Sequence, residues 1–451
     1  MQFVFSNMKE ALQNCKLEIS INFSIKYEHE CIEIPTSPSC NTLQSISYLR
    51  VRTIALLLSC IYYSLDIYGQ VELVSNNANL INPPYLKDYL NKPALNSRLI
   101  GLGEATHGTK EFTEIKSDIV KILVLQYGYK NFILEAGYID CIKINEFIQN
   151  KNDDSLNLFK GLPWPWATTE FYDLIKWMRQ YNIHSTKDEY IHFYGSDVGN
   201  HASVRFYKNQ FANPTTNLFI ENLIKIYADT LKTPNQKIAM LKVQSKAFPK
   251  LPNFTDSMKM KNILESLHFL LLRGGERYKF REITFADLTI AIIDHLSSKE
   301  KFILWAHNTH IAKFSDSRKT VAYFLNKRYS AHYTNFIFEF NKGGFRAVDT
   351  DSNRYQNNIF KFTNFNVNSD FNKIGSRIIP DSLNYMILDV KSPFNKNLVP
   401  KYFYINSIGA VYSKDLAKKK PALYREKIYR NKSCDYLIVV NQTNASSNYF
   451  E

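Results

Sequence analysis

Short apolar runs that break into loops bearing reactive side chains organise the middle of this chain. Leu99 to Leu102 reads as a buried strand, and it breaks at Gly103 into Glu104-Ala105-Thr106-His107-Gly108. That loop is turn-prone and sets a carboxylate and an imidazole three residues apart. The following segment has helical spacing: Phe112, Ile115, Ile119, Ile122 and Leu123 share a face, Thr109 stands at the cap and Gly128 at the stop. Asn131 to Leu134 forms a second apolar run and ends on Glu135. Strand, helix and strand in about forty residues make a βαβ unit, whose parallel strands place their C-terminal ends on one sheet edge. That edge is where open α/β sheets bind ligands.

The pattern recurs downstream. Ile191 to Tyr194 is followed by Gly195-Ser196-Asp197, and Phe302 to Trp305 by Ala306-His307-Asn308-Thr309-His310. Four strand ends therefore deliver Glu104, His107, Glu135, Asp197, His307 and His310 to one predicted cleft. Further strands are expected at Thr334 to Phe340, Tyr385 to Val390 and Tyr436 to Val440. Between about 215 and 297 the periodicity is helical, at Phe219 to Leu231, Asp256 to Leu272 and Phe280 to Leu296. The pattern predicts an α/β fold: a mostly parallel central sheet with flanking helices and an inserted helical subdomain over about 215–297.

Composition sets outer limits. A chain of 451 residues that is 45% hydrophobic and 14% aromatic can bury a large core and is not globally disordered. The net charge of +14 is dispersed, with Lys418 to Lys420 the one run of three, and no nucleic-acid motif accompanies it. A lysine-rich solvated surface is expected and no nucleic-acid partner, with attraction to anionic membrane or polysaccharide as the remaining option. Leu49-Arg50-Val51-Arg52, the apolar Thr53 to Tyr63 and Tyr68-Gly69-Gln70 have the order of a secretory signal. The expected organisation is an N-terminal extension at 1–70, with the signal-like segment at about 49–70, and a catalytic domain at 71–451 that is exported to the periplasm or beyond. If the segment is instead a core helix, the protein is cytoplasmic. The apolar run is too short for a stable membrane span. Export would leave Cys141 and Cys434 on separate elements, so no disulfide framework is expected. The sequence carries no sign of oligomeric state.

The residue types suggest water chemistry. A neutral imidazole such as His107 can take a proton from water near neutral pH, and Glu104 or Glu135 on its other nitrogen would fix the tautomer. His307 and His310, or Lys116 and Arg281, could supply donors to an oxyanion. No Gly-x-Ser-x-Gly elbow suggests a serine nucleophile, so direct attack by water is the expected route, without a cofactor. Zinc held by His107, Glu135, His307 and His310 is the alternative, although no His-Glu-x-x-His helix appears. Trp164 and Trp166, in a proline-broken loop, are candidates for the wall of a large, oxygen-rich substrate. Phe171, Leu174, Ile175 and Met178 have helical spacing and read as core. Asp197 fits a turn or cap as well as a substrate contact.

GEATHGTKEF, FILEAG and FILWAHNTHIAK, in this order and at this separation, resemble the erythromycin esterase family, α/β hydrolytic proteins whose named members open macrolide lactones. Weaker echoes run through WPWATTEFYDLIKWMRQYN, FREITFADL and SCDYLIVVNQTNAS, and the resemblance covers roughly 85–447. It implies a small-molecule ester or lactone substrate, inactivation of a macrolide among the options, and His107 as general base with Glu104, Glu135, His307 and His310 beside it. Lys116 stands where some members have an active-site arginine. Arg281 opens Arg-Glu-x-x-Phe-Ala where members have Arg-Asp-x-x-Met-Ala. A different class, a protein that retains a metal, haem or glycan in this cleft without turnover, is kept as a further expectation to test.

Overall fold

Among the described residues, a nine-stranded sheet dominates the structure. The computed structural model describes residues 84–151, 155, 157–159, 162–199, 207–246, 251–351, 361–370 and 372–449, so the signal-like segment at 49–70 lies outside the described residues. In chain order, helix α1 (Pro84–Asn96) leads to β1 (Leu99–Leu102), α2 (Lys110–Tyr127), β2 (Tyr129–Gly137), α3 (Tyr138–Ile148), α4 (Thr169–Ile183) and β3 (His192–Asp197). Four helices follow: α5 (Pro214–Ala228), α6 (Pro234–Lys246), α7 (Phe254–Leu271) and α8 (Gly274–His295). Then come β4 (Lys301–Trp305), the short α9 (Asn308–Ile311), α10 (Val321–Tyr329), β5 (Tyr333–Asp349), β6 (Phe362–Val367) and β7 (Tyr385–Asp389). The chain continues through β8 (Tyr402–Asn406), β9 (Val411–Tyr412), β10 (Arg425–Tyr429) and β11 (Tyr436–Thr443).

The strand order is β3-β2-β4-β1-β5-β11-β7, parallel from β3 to β11, with β7 antiparallel at the edge. β6 and β9 pair with the far end of β5, and β8 and β10 form a separate antiparallel ribbon. The expected βαβ unit is present, but β4 lies between its two strands, in register as Leu102↔Trp305 on one side and Leu134↔Trp305 on the other. That insertion sets His307, just beyond β4, between the residues that follow β1 and those on β2.

Alternation of side chains along the strands builds two cores. Ile100, Leu102, Phe132, Leu134 and Trp305 face one cluster with α2 and α4. Leu99, Ile133, Phe302 and Leu304 face the other with α8 and α10. Helix α2 follows the predicted apolar stripe and ends at Gly128, whose φ of 70° is the left-handed conformation that glycine adopts without a Cβ penalty. Thr109 occupies the N-cap position without capping; its hydroxyl bonds to Thr106 instead.

The stretch expected to be a helical subdomain is helical. Its first three helices share a core built from Ile220, Leu223, Leu241, Met260, Ile263 and Leu267. The fourth, α8, belongs to the sheet, because Phe285, Leu288, Ile292 and Ile293 pack on its second face. Helix α6 has no strong sequence signal, since Leu241 is its one fully buried side chain. Cys141 and Cys434 are both buried and free. Among the described residues no helix is long and apolar enough to cross a membrane.

Candidate active site

The site forms where β1, β4, β2 and β3 end side by side. Three remote segments clamp the Glu104–Gly108 loop. The Ile408 amide donates to the Ala105 carbonyl at 2.7 Å, while Arg346 and Ser446 amides donate to the Gly108 carbonyl at 2.8 and 3.0 Å. Pinned this way, the loop presents His107 with its side chain 11% exposed, the most exposed imidazole of the site.

Glu104 is the hub of the first cluster. His107 Nδ1 lies 2.5 Å from Glu104 Oε1, the indole N–H of Trp305 donates to Oε2 at 3.1 Å, and the Lys116 ammonium pairs with the same oxygen. Burial alone would raise the Glu104 carboxyl, but Lys116 and then His107 hold it down at about 2. Lys116 is fully buried, its ammonium 3.9 Å from the centre of the Trp305 ring, and burial lowers it to about 8 despite its partner. Because a carboxylate only accepts, the proton on Nδ1 points at Glu104 and the lone pair of neutral His107 is left on Nε2. That nitrogen makes no hydrogen bond among the described residues. Lys116 thus pairs with the Glu104 oxygen that His107 leaves free.

Glu135 organises the second cluster. An irregularity in the β2–β3 register between Leu134 and Gly137 inserts one extra residue on β2 and turns Glu135 into the site. Gly195 makes this possible, since a Cβ there would stand 2.3 Å from the Gly137 carbonyl oxygen. One Glu135 oxygen accepts the His307 amide at 2.7 Å, and the other meets Arg281 at 2.7 Å and His310 Nε2 at 3.2 Å. Arg281 also forks onto Asp197, at 3.1 and 3.0 Å from Nε, which makes Asp197 an anchor for that guanidinium rather than a free group. His310 Nδ1 lies 2.9 Å from Glu282, off the line of a hydrogen bond, so the contact is an ion pair. Burial disfavours the charged imidazole, yet Glu282 and Glu135 outweigh it and push His310 up to about 10. Against the same burial penalty, His310 and Arg281 keep the Glu135 carboxyl well below its usual range.

His307 bridges the clusters in the opposite protonation state. Its Nε2 lies 3.3 Å from the Ala105 carbonyl, so that nitrogen carries the proton and Nδ1 accepts from the Thr309 hydroxyl at 2.9 Å. Burial and the neighbouring His107, 5.1 Å between ring centres, push it down to about 3.

The structure brings Glu104, His107, Lys116, Glu135, Asp197, Arg281, His307 and His310 together. It separates the two loop tryptophans. Trp166 packs edge-on against His107 at 5.7 Å and donates its indole N–H to the Glu135 carbonyl. Trp164 instead meets Phe362 at 5.2 Å in a separate pocket of about 240 Å³ that also contains Arg346 and Asn448. Residues absent from the sequence-based site are Trp305, Thr309 and Glu282. Glu282 is visible in the sequence only as the acid of Arg-Glu-x-x-Phe-Ala, and Trp305 reads as an ordinary strand residue. A cleft of about 990 Å³ opens beside Arg281, Glu282, Thr309 and His310.

The donor set does not fit the zinc alternative. His310 is taken up at both nitrogens by carboxylates, His307 directs its lone pair at Thr309, and both Glu135 oxygens are engaged. Among the described residues, no group of three or more His, Cys, Asp or Glu side chains is arranged to hold a metal ion.

The sequence model of the family described as Erythromycin esterase matches residues 124–236 and 261–443. Those segments include Glu135, Asp197, Arg281, His307 and His310 and begin after the Glu104–His107 loop. The erythromycin esterase type II of Escherichia coli is 29% identical over 104 residues, 23% of this chain and 24% of that protein. The chain thus matches about a quarter of that relative's length. Among solved structures, a Bacillus cereus protein superposes with a TM-score of 0.67 at 18% identity, covering 86% of this chain and 98% of that one. A succinoglycan biosynthesis protein gives 0.64 at 20% identity, with the same 86% and 98% coverage. An erythromycin esterase mutant in its open conformation gives 0.60 at 15% identity, covering 80% and 95%. At these identities the likeness is one of fold.

Proposed function

The chain belongs to the erythromycin esterase family, and on that premise we propose that it hydrolyses a small-molecule ester or lactone by attack of a water molecule deprotonated by His107. The observation that carries this reading is the 2.5 Å contact between His107 Nδ1 and Glu104, which leaves a lone pair on the partly exposed Nε2. His107 Nε2 takes a proton from water as its oxygen bonds to the substrate carbonyl carbon. Glu104 stabilises the imidazolium that forms, and the tetrahedral oxyanion is met by Arg281 and His310, the cations of the Glu135 cluster, which border the open cleft. When the intermediate collapses, the ester C–O bond breaks and the departing alkoxide recovers the proton from His107, leaving a carboxylic acid and an alcohol. For a lactone, both ends stay on one molecule.

Several groups in this scheme act by positioning. Asp197 and Glu135 aim the Arg281 fork, Glu282 keeps His310 charged, and Lys116 keeps Glu104 ionised. His307 stays neutral and ties the loop of β1 to that of β4. Macrolide ring opening is the narrower form of the proposal, and export through the 49–70 segment is its cellular counterpart.

The test is to incubate the purified protein with erythromycin and a panel of simple esters and lactones and to follow each by mass spectrometry for the gain of one water. Turnover that persists in chelator and is lost in His107→Ala supports the reading. Failure to convert any ester, with the fold intact by circular dichroism, overturns it in favour of a ligand-retaining protein. Loss of turnover in chelator would restore the metal route.

A further inference from the structure

The cleft beside Arg281 and His310 carries information about what enters it. One wall is a single face of α8, where Gly275, Tyr278, Lys279, Glu282 and Ile283 recur at helical spacing. The other wall is the segment after α9 together with the start of α10, including Phe314, Lys319, Tyr323 and Phe324. The walls are therefore largely apolar, and two of their apolar side chains stand open to solvent, Tyr278 at 71% and Ile283 at 37% exposure. Exposed apolar surface lining a cleft of about 990 Å³ is the usual mark of a ligand site.

The charges on these walls do not cancel. Arg318 is neutralised by Glu426 at 3.1 Å. The cleft's own acids are also taken up: Glu282 by His310 and the Val321 amide, and Asp316 by the Tyr429 hydroxyl and Lys427. Arg281 is held between Asp197 and Glu135. Lys279 and Lys319 remain. Neither forms an ion pair among the described residues, and the Lys319 ammonium rests 5.3 Å from the centre of the Tyr323 ring. One lysine stands on each wall, so their fields add within the cleft between them.

We propose that this cleft receives the anionic end of an amphiphilic ligand, an ester-bearing molecule with an apolar body and a carboxylate or phosphate group, and that Lys279 and Lys319 select for that charge. The proposal takes its reaction from the ester-hydrolase reading, while the binding it asserts stands apart from turnover. An ammonium is a compact charge that does not distinguish planar from tetrahedral oxyanions, so carboxylate and phosphate are both admitted. The apolar body lies along Tyr278, Ile283, Phe314 and Phe324, which points the reactive end towards Arg281 and His310.

The experiment is calorimetric titration of the full chain with decanoate, decyl phosphate and decyltrimethylammonium, each below its aggregation threshold. Both anions are expected to bind more tightly than the cation, with affinity falling as salt is raised. In the double variant Lys279→Gln/Lys319→Gln, anion affinity should fall about three- to tenfold, the scale of two exposed charge contacts. Ile283→Asn, at a half-open position, removes apolar surface without adding charge and should weaken all three ligands, which locates them in this cleft. Decanoate binding without conversion of any ester would leave this proposal standing while the hydrolase reading fails. Equal affinity for anion and cation, or unchanged anion binding in the double lysine variant, would overturn it.

Discussion

The backbone N–H of His307 donates to the carboxylate of Glu135 at 2.7 Å, tying the end of β4 to the irregular end of β2. Through its other oxygen Glu135 meets Arg281 and His310, so one buried carboxylate fixes the loop beyond β4 and both cations of the second cluster. Glu104 does the same for His107, Lys116 and Trp305. The site is two carboxylate hubs joined by a neutral histidine.

His107→Asn removes the proposed base and leaves the loop clamps in place. The rate of ester hydrolysis should fall by about a hundred- to ten-thousandfold, the usual worth of general base catalysis, with little change in KM. Steady-state kinetics on whichever ester is turned over by the wild type decide this. A retained kcat would remove His107 from the mechanism.

Lys116→Met leaves the Glu104 charge buried without its cation. Breaking a buried pair from one side costs about 3–5 kcal/mol, so urea unfolding at pH 7 should shift by that amount. The loss should shrink as pH is lowered towards 4.5, because protonating Glu104 removes the uncompensated charge. A variant as stable as wild type would mean that solvent reaches Glu104.

His310 provides a pH signature. Its folded value, about 10, lies above the 6.5 of the free group, so the folded state holds the proton more tightly. The stability it contributes is fully present below pH 6.5 and is lost as pH rises towards 10. Between pH 6.5 and 8 the stability advantage of wild type over His310→Gln should decline with a slope approaching about 1.4 kcal/mol per pH unit, a difference in which the titration of Lys116 cancels. Parallel pH profiles for the two proteins would show that His310 is not charged in the folded state.

Arg281→Lys keeps the charge but cannot make the fork onto Asp197 and Glu135 together. A mispositioned cation at a developing oxyanion should cost about a hundredfold in kcat/KM, with stability less affected than by Arg281→Ala. Unchanged kinetics would assign Arg281 a purely structural role.

The two loop tryptophans should behave differently. Trp166→Phe keeps a ring against His107 and removes the indole donor to the Glu135 carbonyl, costing about 1–3 kcal/mol of stability and lowering activity. Trp164→Ala should leave kcat near wild type, because Trp164 meets Phe362 in its own pocket. A larger loss of kcat in Trp164→Ala than in Trp166→Phe would contradict this division.

Local sequence determined the strands, the helix after β1 and the reactive loops, because an alternating or helical apolar pattern and a glycine break are properties of a few neighbouring residues. It also picked out His107 with Glu104, whose spacing of three residues in one loop makes their contact local. Tertiary structure decided the rest. The insertion of β4 between β1 and β2 depends on which strands pair, which no run of apolar residues encodes, and that order puts His307 between the clusters. Lys116, marked in the sequence by a position shared with an arginine, became a buried counter-ion because α2 lays it on Trp305. His307 and His310 are three residues apart in one segment, yet folding drives one down to about 3 and the other up to about 10. Their difference comes from surroundings that the fold assembles: burial and the His107 ring around His307, two carboxylates around His310. A residue's identity fixes which proton it can carry, but the charges and the loss of water that settle whether it does are supplied by the fold.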